Sequence, residues 1–414
     1  MAVLEQIARP SQGEDPGTGA EKNSLPALFW QDNTPWREVN LWISQKKGVD
    51  GATLKSLMTH LLAYAKWLEQ TNTDWWDFPV DRAKRCLVLY RAFLLREIGI
   101  QSIKPRTAAA RMRAIVQFYR WAHTHRVISP EWPMWEDRHI GVRVSTNFGF
   151  ERTILKLSTD LRIRAGSTAS SIALEDNLVP FSVDDQVAIQ AYARRYGTEE
   201  LQLFFSLGFR TGLRLGTISD LKVQTLYRAT PDPNMTGFMR ISIGPRAQPP
   251  VATKNGVNGT IPLHQNDLDA LIEHATSTGR LKRAERAAPH HRDLLFLTRS
   301  GQPYAGKAGV TEYRAMEMEI SRLRSRARRA LFAPMYDFKF HRTRATFGTN
   351  TARLLLGHLS VADALGLLRD LMLHSDIATT LKYVKFIQTG DLISSLADEY
   401  TRSYLKLTDA GKET

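Results

Sequence analysis

Apolar residues recur at intervals of three and four through much of the first third of the chain. In Thr53–Gln70, Leu54, Leu57, Met58, Leu61, Leu62, Ala65 and Leu68 fall on one face of a helix. Asp81–Ile98 predicts a second helix, ending before Gly99. A third runs from Pro105, well suited to a first turn, to about Arg126. Its apolar face holds Ala108, Met112, Ile115, Val116 and Tyr119. Arg106, Arg111, Arg113, Arg120 and Arg126 decorate the rest, a distribution that fits a solvated face as well as a polyanion contact.

Further on, the pattern becomes mixed. A helix opens at Ser182, with Asp185 in its first turn, and Leu201–Phe209 reads as a buried helix. Phe238–Gly244 alternates as a strand, and Val251–Pro262 reads as a hairpin with Asn255-Gly256 and Asn258-Gly259 as turn formers. Leu294–Thr298 predicts a further short strand, and from Val310 onward nearly everything looks helical. The fold class expected is mainly α with a small β-sheet.

Composition divides the 414 residues further. All nine tryptophans lie between Trp30 and Trp135, which argues for two domains with different cores. Residues 1–25, rich in Gly, Pro, Ser and charge, read as a mobile tail. Residues 26–140 make a helical domain, 141–177 a linker or extension, and 178–414 a mixed domain. Within the linker, Arg164–Ser171 has the small polar residues of a flexible connection, whereas Phe148–Arg164 has mixed periodicity and predicts no element.

Charge narrows the partners. Fifty-six Lys and Arg against 42 Asp and Glu leave a net +14, which favours polyanions, nucleic acid first. The single cysteine, Cys86, excludes an intramolecular disulfide and a thiolate metal cluster. The first residues lack the basic and apolar regions of a signal peptide, and no run approaches the roughly 18 apolar residues of a membrane span. A cytoplasmic protein, nucleoid-associated when bound to DNA, is expected.

Candidate chemistry falls in the second half. Thr211-Gly-Leu-Arg214 follows one helix and opens another, so Arg214 can point into a cleft beside helix N-terminal amides. Lys254 sits beside the Asn255-Gly256 turn, and an ammonium there can protonate a leaving oxygen. His341 and Arg344, three apart on a helix, can address one phosphate together. Arg342 points elsewhere. His374 precedes Tyr383 by nine residues, with Ser375 or Asp376 able to cap a helix that carries Thr379, Thr380 and Tyr383. A tyrosine that attacks phosphorus conserves bond energy in an ester, so rejoining needs no ATP.

In this order, the TGLR segment, the turn lysine, HxxR and the stretch from His374 to Tyr383 resemble the tyrosine recombinase (integrase) family of site-specific DNA recombinases. The resemblance covers about residues 178–390, and the Trp-rich part resembles the family's core-binding domain. It implies that Arg214 and Arg344 clamp a scissile phosphate and that Lys254 protonates the 5′ leaving oxygen. His341 would serve proton transfer, His374 would hydrogen-bond the phosphate, and Tyr383 would form a 3′-phosphotyrosyl link. It further implies a DNA clamp, a specific recombination site in double-stranded DNA and a homotetramer on two such sites. Accessory DNA-bending factors are further candidate partners. No cofactor and no metal are expected.

Three departures stand out. Thr217 replaces the family's frequent carboxylate three residues after the first arginine, and Leu373 replaces its glycine before the later histidine. Leu355-Leu-Gly-His358 copies the usual text better than Met372-Leu-His374, but Leu367 stands nine residues after His358, so His374 is the histidine in register. Among other basic groups, Arg322, Arg324, Arg326, Arg328 and Arg329 crowd one helix, and Arg322, Arg326 and Arg329 are candidate DNA contacts. His290-His291 reads as a loop pair. Leu392, Leu396, Tyr400, Tyr404 and Leu407 form a stripe able to dock on its own domain or, as the family resemblance favours, as an exchange helix on a neighbouring subunit. Two alternatives remain at this point, a type IB topoisomerase-like relaxing enzyme and a catalytically silent DNA-binding accessory protein.

Overall fold

Side-chain caps from Ser, Thr and His open several of the helices. A computed structural model of the chain describes residues 1–8, 24–46, 48–49, 51–145, 151–165, 174, 178–304 and 314–390. It forms two compact units, one over Met1–Ala169 and one over Ser170–Gly306 continued by Glu312–Thr414.

The first unit opens with an antiparallel pair, β1 (Val3–Ala8) and β2 (Ser24–Phe29), in which Val3 faces Phe29 and Ala8 faces Ser24. Residues 1–25 were expected as a mobile tail; in the described part Ala2 is instead fully buried against the helices, beside Leu28 of β2, and Ala2 N donates to Glu69 at 2.6 Å. Helices α1 (Arg37–Ser44), α2 (Gly51–Thr71), α3 (Cys86–Gly99) and α4 (Pro105–Thr124) follow. The helix predicted over Asp81–Ile98 starts later, at Cys86 of α3. Arg82–Lys84 makes a separate turn, and extended Arg85 uses its guanidinium on the carbonyls of Pro79, Val80 and Pro133.

The aromatic residues explain this unit's cohesion. Trp36 is buried between Trp30, Tyr64, Trp75 and Phe118, and the Tyr64 and Tyr119 hydroxyls meet at 2.9 Å. Tyr119 also donates to the Trp75 carbonyl, so these phenols lie in an apolar core with partners for their polar ends. The stretch without a predicted element contributes β4 (Glu151–Thr159), which pairs antiparallel with the preceding β3 (Asp137–Ser145), and Arg82 ties the base of this pair to Glu136 and Asp160. The flexible connection read around Arg164–Ser171 lies outside the described residues from 166 onward.

In the second unit, Ser182 caps α5 (Val183–Tyr196) by accepting from Asp185 N at 3.0 Å, and Thr198 caps α6 (Glu199–Thr211) in the same way. Helices α7 (Leu215–Ser219) and α8 (Val223–Tyr227) lead to a three-stranded antiparallel sheet of β5 (Thr230–Pro231), β6 (Phe238–Ile243) and β7 (Gly259–His264). The predicted hairpin over Val251–Pro262 is not present as such. Strand β7 pairs with β6, Ile261 facing Ile241, and Val251 is a buried residue of the connection over 244–258. The alternating apolar residues of Phe238–Ile243 offer a better two-sided partner than the glycine- and asparagine-rich 251–258 stretch. Leu294–Thr298 contributes isolated pairings, Lys222 with Leu294 and Leu297 with Pro303, rather than a strand.

Helices α9 (Gln265–Thr276), α10 (Thr278–Arg286), α11 (Arg314–Arg329), α12 (His341–Leu356) and α13 (Val361–Leu371) complete the unit, with a last helix, α14, over 377–390. Phe204, Phe205, Phe296, Phe338 and Phe340 fill its core. Central α6 crosses α12 closely because Gly208 has no side chain; a Cβ there would lie 2.5 Å from Thr343 Oγ1.

Candidate active site

The site is assembled around α12. Gly212 ends α6 in the left-handed conformation (φ 64°), which releases the chain so that extended Arg214 stands immediately before α7. A Cβ at Gly212 would meet the Phe347 ring of α12 at 2.4 Å, so glycine permits both the turn and the close approach. Arg344 is 2 % exposed on the same helix. Its guanidinium donates to the Gly212 carbonyl at 2.6 Å and to the Met372 carbonyl at 2.5 Å. One side chain thus binds the turn before Arg214 and the turn before His374. Half-buried His341 begins α12, one turn before Arg344.

The turn after α13 delivers the remaining groups. Leu373 adopts a left-handed backbone (φ 49°), and His374 N reaches back to the Arg369 carbonyl at 3.0 Å. Of the two caps the sequence offers, Ser375 and Asp376, it is Asp376 that accepts from Ala378 N, at 2.9 Å, and caps α14. His374 Nδ1 lies 2.9 Å from Thr380 Oγ1 one turn into α14, a bond that fixes the imidazole. The His374 and Tyr383 rings are 6.0 Å apart between centroids and tilted by 30°. Tyr383 is buried with Ala345, Ala352, Leu368, Met372 and Ile387. Its ring fits because Gly348 lacks a side chain; Gly348 is absent from the candidates read from sequence, and a lone glycine inside a helix pattern was the only signal for it.

Lys254 stands on an exposed turn, Lys254–Gly256, in which Asn255 (φ 63°) and Gly256 (φ 64°) are both left-handed. The Asn255 amide donates to Ser375 Oγ at 3.1 Å, placing the lysine turn beside the histidine turn. Arg342 turns away: it lies over the Phe181 ring at 3.7 Å and binds the Val179 carbonyl and Asp337. Thr217, in place of a carboxylate, is buried, and His358 sits exposed just past the end of α12.

The candidate DNA-contact arginines occupy two surfaces. On α4, Arg106 and Arg113 are exposed, whereas Arg111 is half-buried near His60, which burial and then the neighbouring guanidinium hold below its usual pKa range. On α11, Arg322 and Arg329 line an open groove with Met318, Ser321 and Ser325, and Arg326 stacks over Tyr196 at 4.1 Å. Arg324 and Arg328 donate instead to the carbonyls of Phe338 and Tyr336. His290 and His291 lie on a short turn with rings 4.0 Å apart. Among the described residues no group of three or more His, Cys, Asp or Glu is placed to hold a metal ion, and no helix is long and apolar enough to cross a membrane. The stripe over Leu392–Leu407 lies outside the described residues.

No family model matches the chain. No curated protein matches it. Among solved structures it is similar to the Tn1549 transposon integrase, residues 82–397, in complex with circular intermediate DNA, at 15 % identity, a TM-score of 0.50 and coverage of 84 % of this chain and 93 % of that one. A variant of the same integrase with another circular intermediate DNA gives 17 % identity and a TM-score of 0.51 over the same shares. At such identities the likeness is one of architecture, and this chain has the mainly α tyrosine-recombinase fold.

Proposed function

We propose that this chain is a site-specific recombinase that cuts and rejoins double-stranded DNA through a 3′-phosphotyrosyl intermediate on Tyr383, in the service of a mobile element. The observation that carries the reading is the pair of Arg344 bonds to Gly212 and Met372, which gathers the TGLR, HxxR and His374–Tyr383 segments at one place.

The chemistry follows from the groups gathered. Tyr383 Oη attacks phosphorus, its proton passing to His341, while the bond to the 5′ oxygen breaks and Lys254 supplies the proton that this oxygen takes. Arg214 and Arg344 neutralise the charge that builds on the non-bridging oxygens. Cationic groups held in place beforehand act most strongly on such charge because they need not reorganise as it develops. His374, steadied by Thr380, hydrogen-bonds the phosphate. Attack of a 5′ hydroxyl on the phosphotyrosyl ester reverses the sequence and frees the tyrosine, so the stored ester energy seals the strand.

Duplex DNA bearing a specific site is the proposed substrate, with four protomers on two sites as the working assembly and DNA-bending factors as accessory partners. The exposed arginines of α4 and α11 are proposed to contact backbone phosphates. The decisive experiment traps the covalent adduct on a nicked suicide substrate. The intact protein is expected to become linked to DNA through Tyr383. Good binding with no adduct would establish an accessory DNA-binding role instead, and relaxation of supercoils without any preferred site would favour a topoisomerase.

A further inference from the structure

Two independent contacts join the segment that carries Lys254 to the turn that carries His374. The first is the Asn255 Nδ2 bond to Ser375 Oγ at 3.1 Å. The second is packing: Leu373 is 6 % exposed, and its Cδ2 lies only 2.5 Å from where a Cβ on Gly259, the first residue of β7, would be. Leu373 makes this contact from a left-handed backbone, which is unfavourable for a residue with a γ-branched side chain and persists where the surroundings hold it. Asn255 also occupies the left-handed region, one that asparagine tolerates better than most residues. Both backbone conformations therefore serve one joint between two loops remote in sequence.

We infer that Asn255 and Ser375 are a positioning pair that holds the exposed Lys254 turn against the His374 turn, with Leu373 on Gly259 as the packed side of the joint. Lys254 is exposed on a connection rich in turn residues, and an unanchored ammonium there would spread over many positions. Anchoring its neighbour restricts that spread and raises the fraction of time the ammonium spends near a phosphate held by the His374 side. The inference rests on the acid role proposed for Lys254, and its test separates the two.

Asn255→Gly keeps a residue at ease with a positive φ while deleting the amide, and Ser375→Ala deletes the acceptor. Each is expected to slow cleavage of an ordinary suicide substrate by about three- to tenfold, the range of a single exposed hydrogen bond, with DNA affinity unchanged. The double variant is expected to be no slower than either single one, and Ser375→Thr to restore the rate. On a substrate with sulfur at the 5′ bridging position, the thiolate leaves without a proton, so both variants are expected to cleave at the parent rate. Defects that multiply in the double variant, or that persist on the sulfur substrate, would overturn the pairing. If Lys254→Ala is itself not rescued by sulfur, the acid role fails. Amide exchange over residues 252–257 then decides the joint: faster exchange in both variants supports it, and unchanged exchange refutes it.

Discussion

The ring of Tyr383 rests on Gly348. A Cβ at that glycine would lie 2.5 Å from Tyr383 Cε1 and 2.7 Å from Met372 Sδ, separations that real atoms do not adopt. The phenol that the proposed chemistry needs is therefore seated by the absence of a side chain on the helix that carries His341 and Arg344. Gly348→Ala must move the ring. Overpacking of this kind costs about 1–3 kcal/mol. The variant is expected to lose that much in urea unfolding and to form adduct at least about tenfold more slowly. An unchanged adduct rate would show that Tyr383 leaves this seat before it attacks.

Tyr383→Phe tests the nucleophile with little disturbance. The ring lies among Ala345, Ala352, Leu368, Met372 and Ile387, a cluster that accepts phenylalanine as readily. Stability is expected to stay within about 1 kcal/mol of the parent, DNA binding to persist and the adduct to vanish. Residual cleavage on a suicide substrate would assign the attack to another side chain.

Arg344 has a structural load that bears on how it should be probed. Arg344→Ala would remove the donor to two carbonyls at once, and each buried group left without a partner costs about 1–3 kcal/mol. Its loss of activity would be confounded by loss of fold. Arg344→Lys keeps a charge but not the planar fork. It is expected to bind DNA within about threefold of the parent while cleavage falls about a hundredfold or more. Equal losses in both measurements would count against a role in the transition state.

Salt dependence separates the arginines of α11. Arg322 and Arg329 are exposed along one groove, so replacing either by alanine should reduce the slope of log affinity against log salt by roughly one. Arg326 also covers the Tyr196 ring, and its replacement should lower stability as well. Slopes unchanged in the Arg322 and Arg329 variants would place DNA elsewhere.

Cys86 offers a probe of the first unit. Burial pushes its thiol up to about 11, so near pH 8 only about one molecule in a thousand carries the reactive thiolate. Native protein is expected to resist thiol reagents at that pH and to label at once in denaturant. Rapid labelling without denaturant would show that the core around Tyr64 and Tyr119 opens readily.

Particular residues show where sequence stopped being sufficient. The strand over Phe238–Ile243 was legible, but its partner was not: the Asn-Gly pairs near Lys254 advertise a local hairpin, whereas the ladder joins residues on either side of a long connection. Strand pairing depends on competition between distant segments, which no local pattern records. The first residues likewise read as polar and mobile, yet Ala2 is buried in a core that residues of α2, far along the chain, help to build.

Local pattern alone was enough for the long helices of the first unit, the cap at Ser182 and the order of the candidate side chains, because period, capping and spacing are properties of neighbouring residues. Tertiary structure decided which backbone atoms hold the Arg344 guanidinium, where the Tyr383 ring sits and what ties the Lys254 turn to Ser375. Those contacts bring together residues far apart in the chain, and a glycine's missing side chain has meaning only when something packs into its place.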